Sequence, residues 1–198
     1  MSGLTTHTGR IAVLNQDHVD TDRIIPARFL TMVTKTGYGE LAFKDVRGAD
    51  FPLDQPEAKG ATILVAGTNF GCGSSREHAV WAIQQAGFHV VIAKKTAETP
   101  GYSDIFRGNA ANCGLALIEL DEADHSELAS HPQGTECTID LPAQTVNCMG
   151  KSYHFEIAPA TKIQLIEGLD LIGLTLRHKD DIDAYEKASN AYVPKPSV

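Results

Sequence analysis

The sequence predicts an α/β fold with a mostly parallel central sheet and a strand-rich flank, and two stretches carry that prediction. In the first, the apolar run ATILVAG at 61–67 is followed by the glycine-punctuated turn NFGCGSS. The segment REHAVWAIQQAG at 76–87 comes next, then a second apolar run, FHVVIA, at 88–93. Runs of this length bounded by turn residues read as buried strands, and the segment between them has helical spacing, with Ala79, Ile83 and Ala86 on one stripe and Gly87 as its stop. A strand–helix–strand order requires a crossover, and hence parallel strands. In the second stretch, TECTIDL, QTVNCMG and YHFEIA lie between 135 and 158 and read as a three-strand meander turning at Pro142 and Gly150.

The other elements follow from the same rules. RIAVLN at 10–15 is a short strand, and QDHVDTDRIIPARFL is a polar turn leading into a mixed segment containing Pro26. Thr31–Gly39 is polar and contains glycine, which predicts a loop that stays disordered until a partner docks. FPLDQPEAKG at 51–60 is a connector, and GLALIEL at 114–120 is a third apolar strand. KIQLIEGL and DDIDAYEKASNAY are C-terminal helices, and VPKPSV is a frayed end. No repeat or low-complexity linker divides the chain, so residues 1–198 read as one unit with C-terminal helices.

Composition narrows the function. Hydrophobic residues make up 42% and charged residues 21%, enough for a buried core. A net charge of −8 argues against nucleic-acid binding, which needs a clustered positive field. It leaves room for an anionic substrate, since charges beyond about 8 Å are screened at physiological salt. No run approaches the roughly 20 apolar residues of a membrane span, and the first ten residues carry no apolar leader, so the expected setting is cytoplasmic. The four cysteines, Cys72, Cys113, Cys137 and Cys148, show no CxxC spacing for zinc or an iron–sulfur cluster, and in that setting free thiols are expected.

The segment richest in chemistry is Asn69–His78, NFGCGSSREH. It sits at the carboxyl end of a predicted strand, where open α/β sheets place ligands. The glycines Gly71 and Gly73 let backbone amides approach a ligand, and the helix start favours an anion. Arg76 adds a fork matched to a carboxylate, and Ser74 and Ser75 add hydroxyls. The spacing from Ser74 to Glu77 also fits a capping box, which needs no ligand. The segment is neither a P-loop nor a nucleophile elbow, because the residues those motifs require are absent.

GSSREH at 73–78 resembles the signature of the swivel domain of the aconitase superfamily, a β/β/α architecture. Three further stretches are similar to the small subunits of the isopropylmalate isomerase branch: VDTDRIIPARFL at 19–30, SDIFRGNAANCGL at 103–115 and EGLDLIGLTLRHKDDIDAYE at 167–186. The resemblance spans nearly the whole chain. It implies a hydro-lyase of leucine synthesis that is active only with a large subunit carrying a 4Fe–4S cluster. This chain itself would hold no metal or cofactor, and the substrate would be a small dicarboxylate.

The resemblance also implies roles. Ser74 is the base that removes a carbon-bound proton, and Ser75 and Arg76, with the amides from Gly71 to Ser75, hold substrate carboxylate. Glu77 is assigned to capping and His78 to orientation or packing. Asp20, Thr21 and Asp22 form an element at the rim of the site, or simply an Asx-type turn. Phe29, Leu30 and Thr31 fall where related small subunits read the substrate's variable group, with core packing the competing account for Phe29 and Leu30. The chain departs from the family at KKTAETPGY, residues 94–102, which is longer than usual and puts Tyr102 where phenylalanine is common. Related hydro-lyases acting on homoaconitate, citraconate or dimethylmaleate stay open as alternatives, as does a non-catalytic dicarboxylate-binding module.

Overall fold

The computed structural model describes residues 3–32 and 34–188. Seven strands form one sheet in the order β4-β3-β2-β1-β5-β6-β7. They are β1 (Thr6–Leu14), β2 (Ile63–Ala66), β3 (Val90–Lys95), β4 (Ala116–Asp121), β5 (Glu136–Asp140), β6 (Thr145–Cys148) and β7 (Lys151–His154). The first four are parallel and the last three antiparallel. The expected parallel sheet and meander are therefore present, fused through β1.

That fusion makes β1 longer than the apolar run predicted. Its second half, Ile11–Leu14, pairs in parallel with Ile63–Ala66 of β2. Its first half, Thr6–Arg10, pairs antiparallel with β5. THTGR is too polar to read as a strand alone; the β5 ladder recruits it by satisfying its backbone groups.

The strand residues alternate between two cores. Leu64, Ala66, Val91 and Ala93 face one side, where they join Ala79, Val80 and Ile83 of α2 (Glu77–Gln85) and Phe106 and Ala110 of α3 (Asp104–Cys113). Ile63, Val65, Val90 and Ile92 face the other, with Leu128 of α4 (Glu122–Ala129) and Leu165 of α5 (Pro159–Glu167). The helix α1 (Thr21–Ile24) belongs to the first side, through Ile24. Connector 51–60 makes two short 3-10 turns, at Pro52–Asp54 and Pro56–Ala58.

Three helical segments went unread in the sequence: α1, α3 and α4. In α3 the run DIFRGNAANC carries glycine and asparagines that mask its period, although Ser103 caps it and Gly114 ends it in the left-handed region at φ 78°. The predicted C-terminal helices become three. These are α5, α6 (Leu171–Leu176) and α7 (Lys179–Ala188); the last two bury no residue. The 189–192 end of the predicted helix and the 193–198 tail lie outside the described residues.

One expectation is corrected. Cys137 and Cys148 stand opposite one another on β5 and β6 and are joined as a disulfide, with Cα atoms 4.5 Å apart. Antiparallel register created this pair; spacing along the chain gave no sign of it. The 31–39 loop, expected to stay disordered until a partner docks, meets α2 in its later part. Tyr38 is fully buried, its N–H donates to Gln85 Oε1 (2.9 Å), and Gln85 Nε2 donates to Lys35 O (2.7 Å). Residues 35–39 are therefore pinned to α2 from within this chain; Val33 lies outside the described residues.

Candidate functional site

The bend between β2 and α2 is held from two sides. On one, Gly71 N–H donates to Val19 O and Thr21 N–H to Cys72 O, both at 2.8 Å, so that Asp20 and Cys72 form a parallel bridge. The buried Thr21 hydroxyl donates to Ser74 O at 3.1 Å. On the other side Asn69 N–H donates to Pro100 O (2.9 Å) and Phe70 N–H to Gly101 O (2.8 Å). Ser103 Oγ donates to Gly71 O (2.8 Å). The 94–102 segment, which had no role in the sequence, thus ends as a brace for the bend. Tyr102 anchors that brace: its hydroxyl lies 2.7 Å from Val91 O and 2.9 Å from Ile118 O, sharing one proton between β3 and β4. Burial pushes its phenol well above the usual value.

The backbone of the bend is contorted to match. His18 and Asn69 have φ of 54° and 52°, and Gly71 and Gly73 have φ of 74° and 94°. At Gly71 glycine is required twice over, since a Cβ would also overlap the Phe106 ring.

What this bracing leaves free is the tip. Gly73, Ser74 and Ser75 are exposed. Among the described residues nothing bonds the hydroxyls of Ser74 and Ser75 or takes the amides of Gly73, Ser74 and Ser75. These donors stand just ahead of α2, whose N-cap, Arg76, makes no side-chain capping bond. Unpaired amides at a helix start attract an anion. Arg76 Nη1 pairs with Asp22 Oδ1. The Arg76 side chain is only 17% exposed while that of Asp22 is 55% exposed, so the carboxylate orients a guanidinium that is itself mostly out of water. The bend therefore combines a fixed cation, free amides and two free hydroxyls.

The structure brings Asp20, Thr21, Asp22, Gly71, Gly73, Ser74, Ser75 and Arg76 into one constellation and sorts their roles. Asp20 caps α1, accepting from Arg23 N–H at 2.7 Å. Thr21 positions Ser74, and Asp22 positions Arg76. Phe29 and Leu30 are half-buried and pack on the core beside the first sheet face, with the Arg28 guanidinium 4.5 Å from the Phe29 ring centroid; Thr31 is exposed. Two assignments change. The Gly71 amide is already committed to Val19, so it is not among the free donors. The capping box does not form: Glu77 is the first residue of α2, and its Oε1 accepts from Cys113 Sγ at 3.3 Å. The helix starts too late for Glu77 to reach back to Ser74. His78 packs between Tyr38 and Trp81, with ring centroids 5.4 and 4.7 Å away, consistent with an orienting or packing role.

The thiols near the bend are held toward their protonated form. Burial, reinforced by the Glu77 carboxylate, pushes Cys113 up to about 12, and burial with Asp20 also raises Cys72. Among the described residues no group of three or more His, Cys, Asp or Glu side chains converges as a metal site. Ser103 and Phe106 were missed as site residues. Serine ahead of an Asp-led segment is a helix-cap signal, but only the tertiary contact shows that the same hydroxyl braces Gly71. No helix of the described residues is long and apolar enough to cross a membrane.

Comparisons with known proteins identify the family. The aconitase C-terminal domain model matches residues 1–123, a LeuD_N model matches 127–159, and the C-terminal domain model of the 3-isopropylmalate dehydratase small subunit matches 172–189. The 3-isopropylmalate dehydratase small subunit of Kocuria rhizophila is 44% identical over 98% of this chain and 96% of its own length. The crystal structure of 3-isopropylmalate dehydratase (LeuD) from Methanocaldococcus jannaschii superposes with a TM-score of 0.65 at 29% identity, covering 92% of this chain and 99% of that one. With its swivel-type fold and its braced GSSR bend, the chain belongs to the 3-isopropylmalate dehydratase small subunits of the aconitase family, hydro-lyases that work with a large subunit.

Proposed function

We propose that the Gly73–Arg76 bend holds a carboxylate of 2-isopropylmalate while Ser74 Oγ removes the carbon-bound proton. Water then leaves and is added back at the neighbouring carbon by way of isopropylmaleate. The observation that carries this reading is the bend itself: strained, braced on both sides, and free only at its donors and hydroxyls. In this reading the large subunit holds a 4Fe–4S cluster, which would supply the Lewis acid for departure of the hydroxyl.

A serine hydroxyl is a weak base until its alkoxide is stabilised. The free amides of Gly73, Ser74 and Ser75, the start of α2 and the Arg76 charge all favour negative charge at this spot. Thr21 holds the Ser74 carbonyl and so fixes the backbone that carries Oγ. Ser75 Oγ and Arg76 grip the carboxylate, while Asp22 keeps the guanidinium in place. Thr31, with the outer edges of Phe29 and Leu30, lines the side that meets the isopropyl group. The reading places the complex in the cytoplasm.

The test is reconstitution with the large subunit and an assay on 2-isopropylmalate. This chain alone should be colourless and inactive, and the mixture should turn over. Ser74→Ala should abolish turnover while the complex still forms. Positioned proton transfer is worth roughly 10²–10⁴-fold, so a residual rate within tenfold of wild type removes Ser74 as the base.

A further inference from the structure

We infer that the outer face of α3 and the helices α6 and α7 form the surface on which the large subunit docks. The inference rests on the reading that the Ser74 bend faces that subunit. It starts from a glycine with no internal purpose. Gly108 lies in the middle of α3, where glycine costs about 1 kcal/mol relative to alanine. A Cβ added there would meet nothing within 4 Å, so neither packing nor backbone strain in this chain calls for glycine. A close-approaching external surface does.

The neighbours of Gly108 on the same helix face support this. Ile105, one turn earlier, is 51% exposed, and Asn112 lies one turn beyond. The face is continuous with the candidate site, because Ser103, which caps α3, donates to Gly71 O at 2.8 Å. At its far end, roughly 10 Å along the helix from Ile105, Asn112 Oδ1 accepts from Leu171 N–H at 3.2 Å, and α6 begins. There Leu171, Ile172 and Leu176 are 61%, 69% and 57% exposed. A helix carrying such residues without burying any is covered by something else.

Two observations identify the cover. The face runs outward from the bend that must meet the large subunit to complete the reaction. And α6 and α7 match a domain model specific to the small subunits of this dehydratase, separate from the aconitase module that matches residues 1–123. A segment peculiar to separately made small subunits suits an interface between subunits.

The experiment measures the dissociation constant of the full-length chain for the cognate large subunit, independently of activity, for wild type, Gly108→Leu and the double variant Ile172→Glu/Leu176→Glu. Both variants should fold as well as wild type when alone, because an added Cβ at Gly108 meets nothing within 4 Å and Ile172 and Leu176 are 69% and 57% exposed. Both should bind at least tenfold more weakly, with kcat recovered at saturating large subunit. Affinities within twofold of wild type for both variants overturn the inference. So does a concentration-dependent homodimer that the double variant disrupts without changing large-subunit affinity, since the surface would then serve a second copy. Weakened binding by the variants alongside a wild-type complex that forms but does not turn over 2-isopropylmalate supports the surface and removes the Ser74 reading instead.

Discussion

Replacing Gly71 with alanine should damage both stability and turnover, and the structure gives the size of the effect. Gly71 has φ 74°, a region that costs an L-residue roughly 1–2 kcal/mol. The new Cβ would overlap Cγ and Cδ2 of Phe106 and stand 2.8 Å from its Cβ. The Phe106 ring cannot easily retreat. It is fully buried between Phe70, at a centroid distance of 5.6 Å, and Tyr102, at 6.3 Å. Overpacking of that kind typically costs 1–3 kcal/mol. The sum is a destabilisation of about 2–5 kcal/mol, read as a shift in the urea midpoint of the isolated chain. Gly73→Ala is the control: its φ is 94°, but the nearest atom to a new Cβ is Thr21 Oγ1 at 3.3 Å, so mainly the backbone cost of about 1–2 kcal/mol applies. The packing share is isolated by repeating Gly71→Ala in a Phe106→Leu background, where its cost should fall to about the backbone value. Equal costs in both backgrounds, or a Gly71→Ala cost no larger than that of Gly73→Ala, would refute the proposed clamp. In the reconstituted complex Gly71→Ala should also lower kcat by about 10²-fold, the effect of moving a reacting group by roughly 1 Å.

Three further outcomes follow from the geometry. Asp22→Asn removes a partly exposed ion pair, so stability should change by only about 0–1 kcal/mol while kcat/KM on 2-isopropylmalate drops about tenfold; an unchanged kcat/KM would mean that Arg76 needs no orientation. His125 is fully buried, its Nε2–H donates to Ala66 O at 2.7 Å, and its Nδ1 has no partner; desolvation holds its pKa below the ordinary 6.5. Above pH 6.5 both folded and unfolded states leave it neutral. As pH falls below 6.5 the unfolded state takes up a proton that the folded state refuses, so stability should fall by up to about 1.4 kcal/mol per pH unit, and His125→Gln should flatten that slope in urea titrations run from pH 7 to pH 5. Thiol titration of the denatured chain without reductant should find the two free cysteines, Cys72 and Cys113, and all four after reduction. Given the sequence separation of 11, breaking the Cys137–Cys148 bond should cost about 2–3 kcal/mol; four free thiols at the outset would show that the pair stays reduced.

The sequence by itself determined the elements whose signal is local. The runs ATILVAG and FHVVIA are apolar on both faces because both faces of β2 and β3 are covered, and the helix between them forces the parallel order. GSSREH, DTDRIIPARFL and GLDLIGLTL pointed to the family because their residues stand adjacent in the chain. Tertiary structure alone decided what depends on contacts between distant residues. THTGR is a strand only because β5 pairs with it, and Cys137 meets Cys148 only through antiparallel register. Thr21, Pro100, Gly101 and Ser103 come from distant segments, yet together they fix the bend that presents Ser74. Gly71 could be read as a donor in the sequence, but its N–H is spent on Val19 and its missing side chain makes room for Phe106. A backbone amide has one hydrogen to give and a point in space holds one atom; which partner takes either is settled only when the chain has folded.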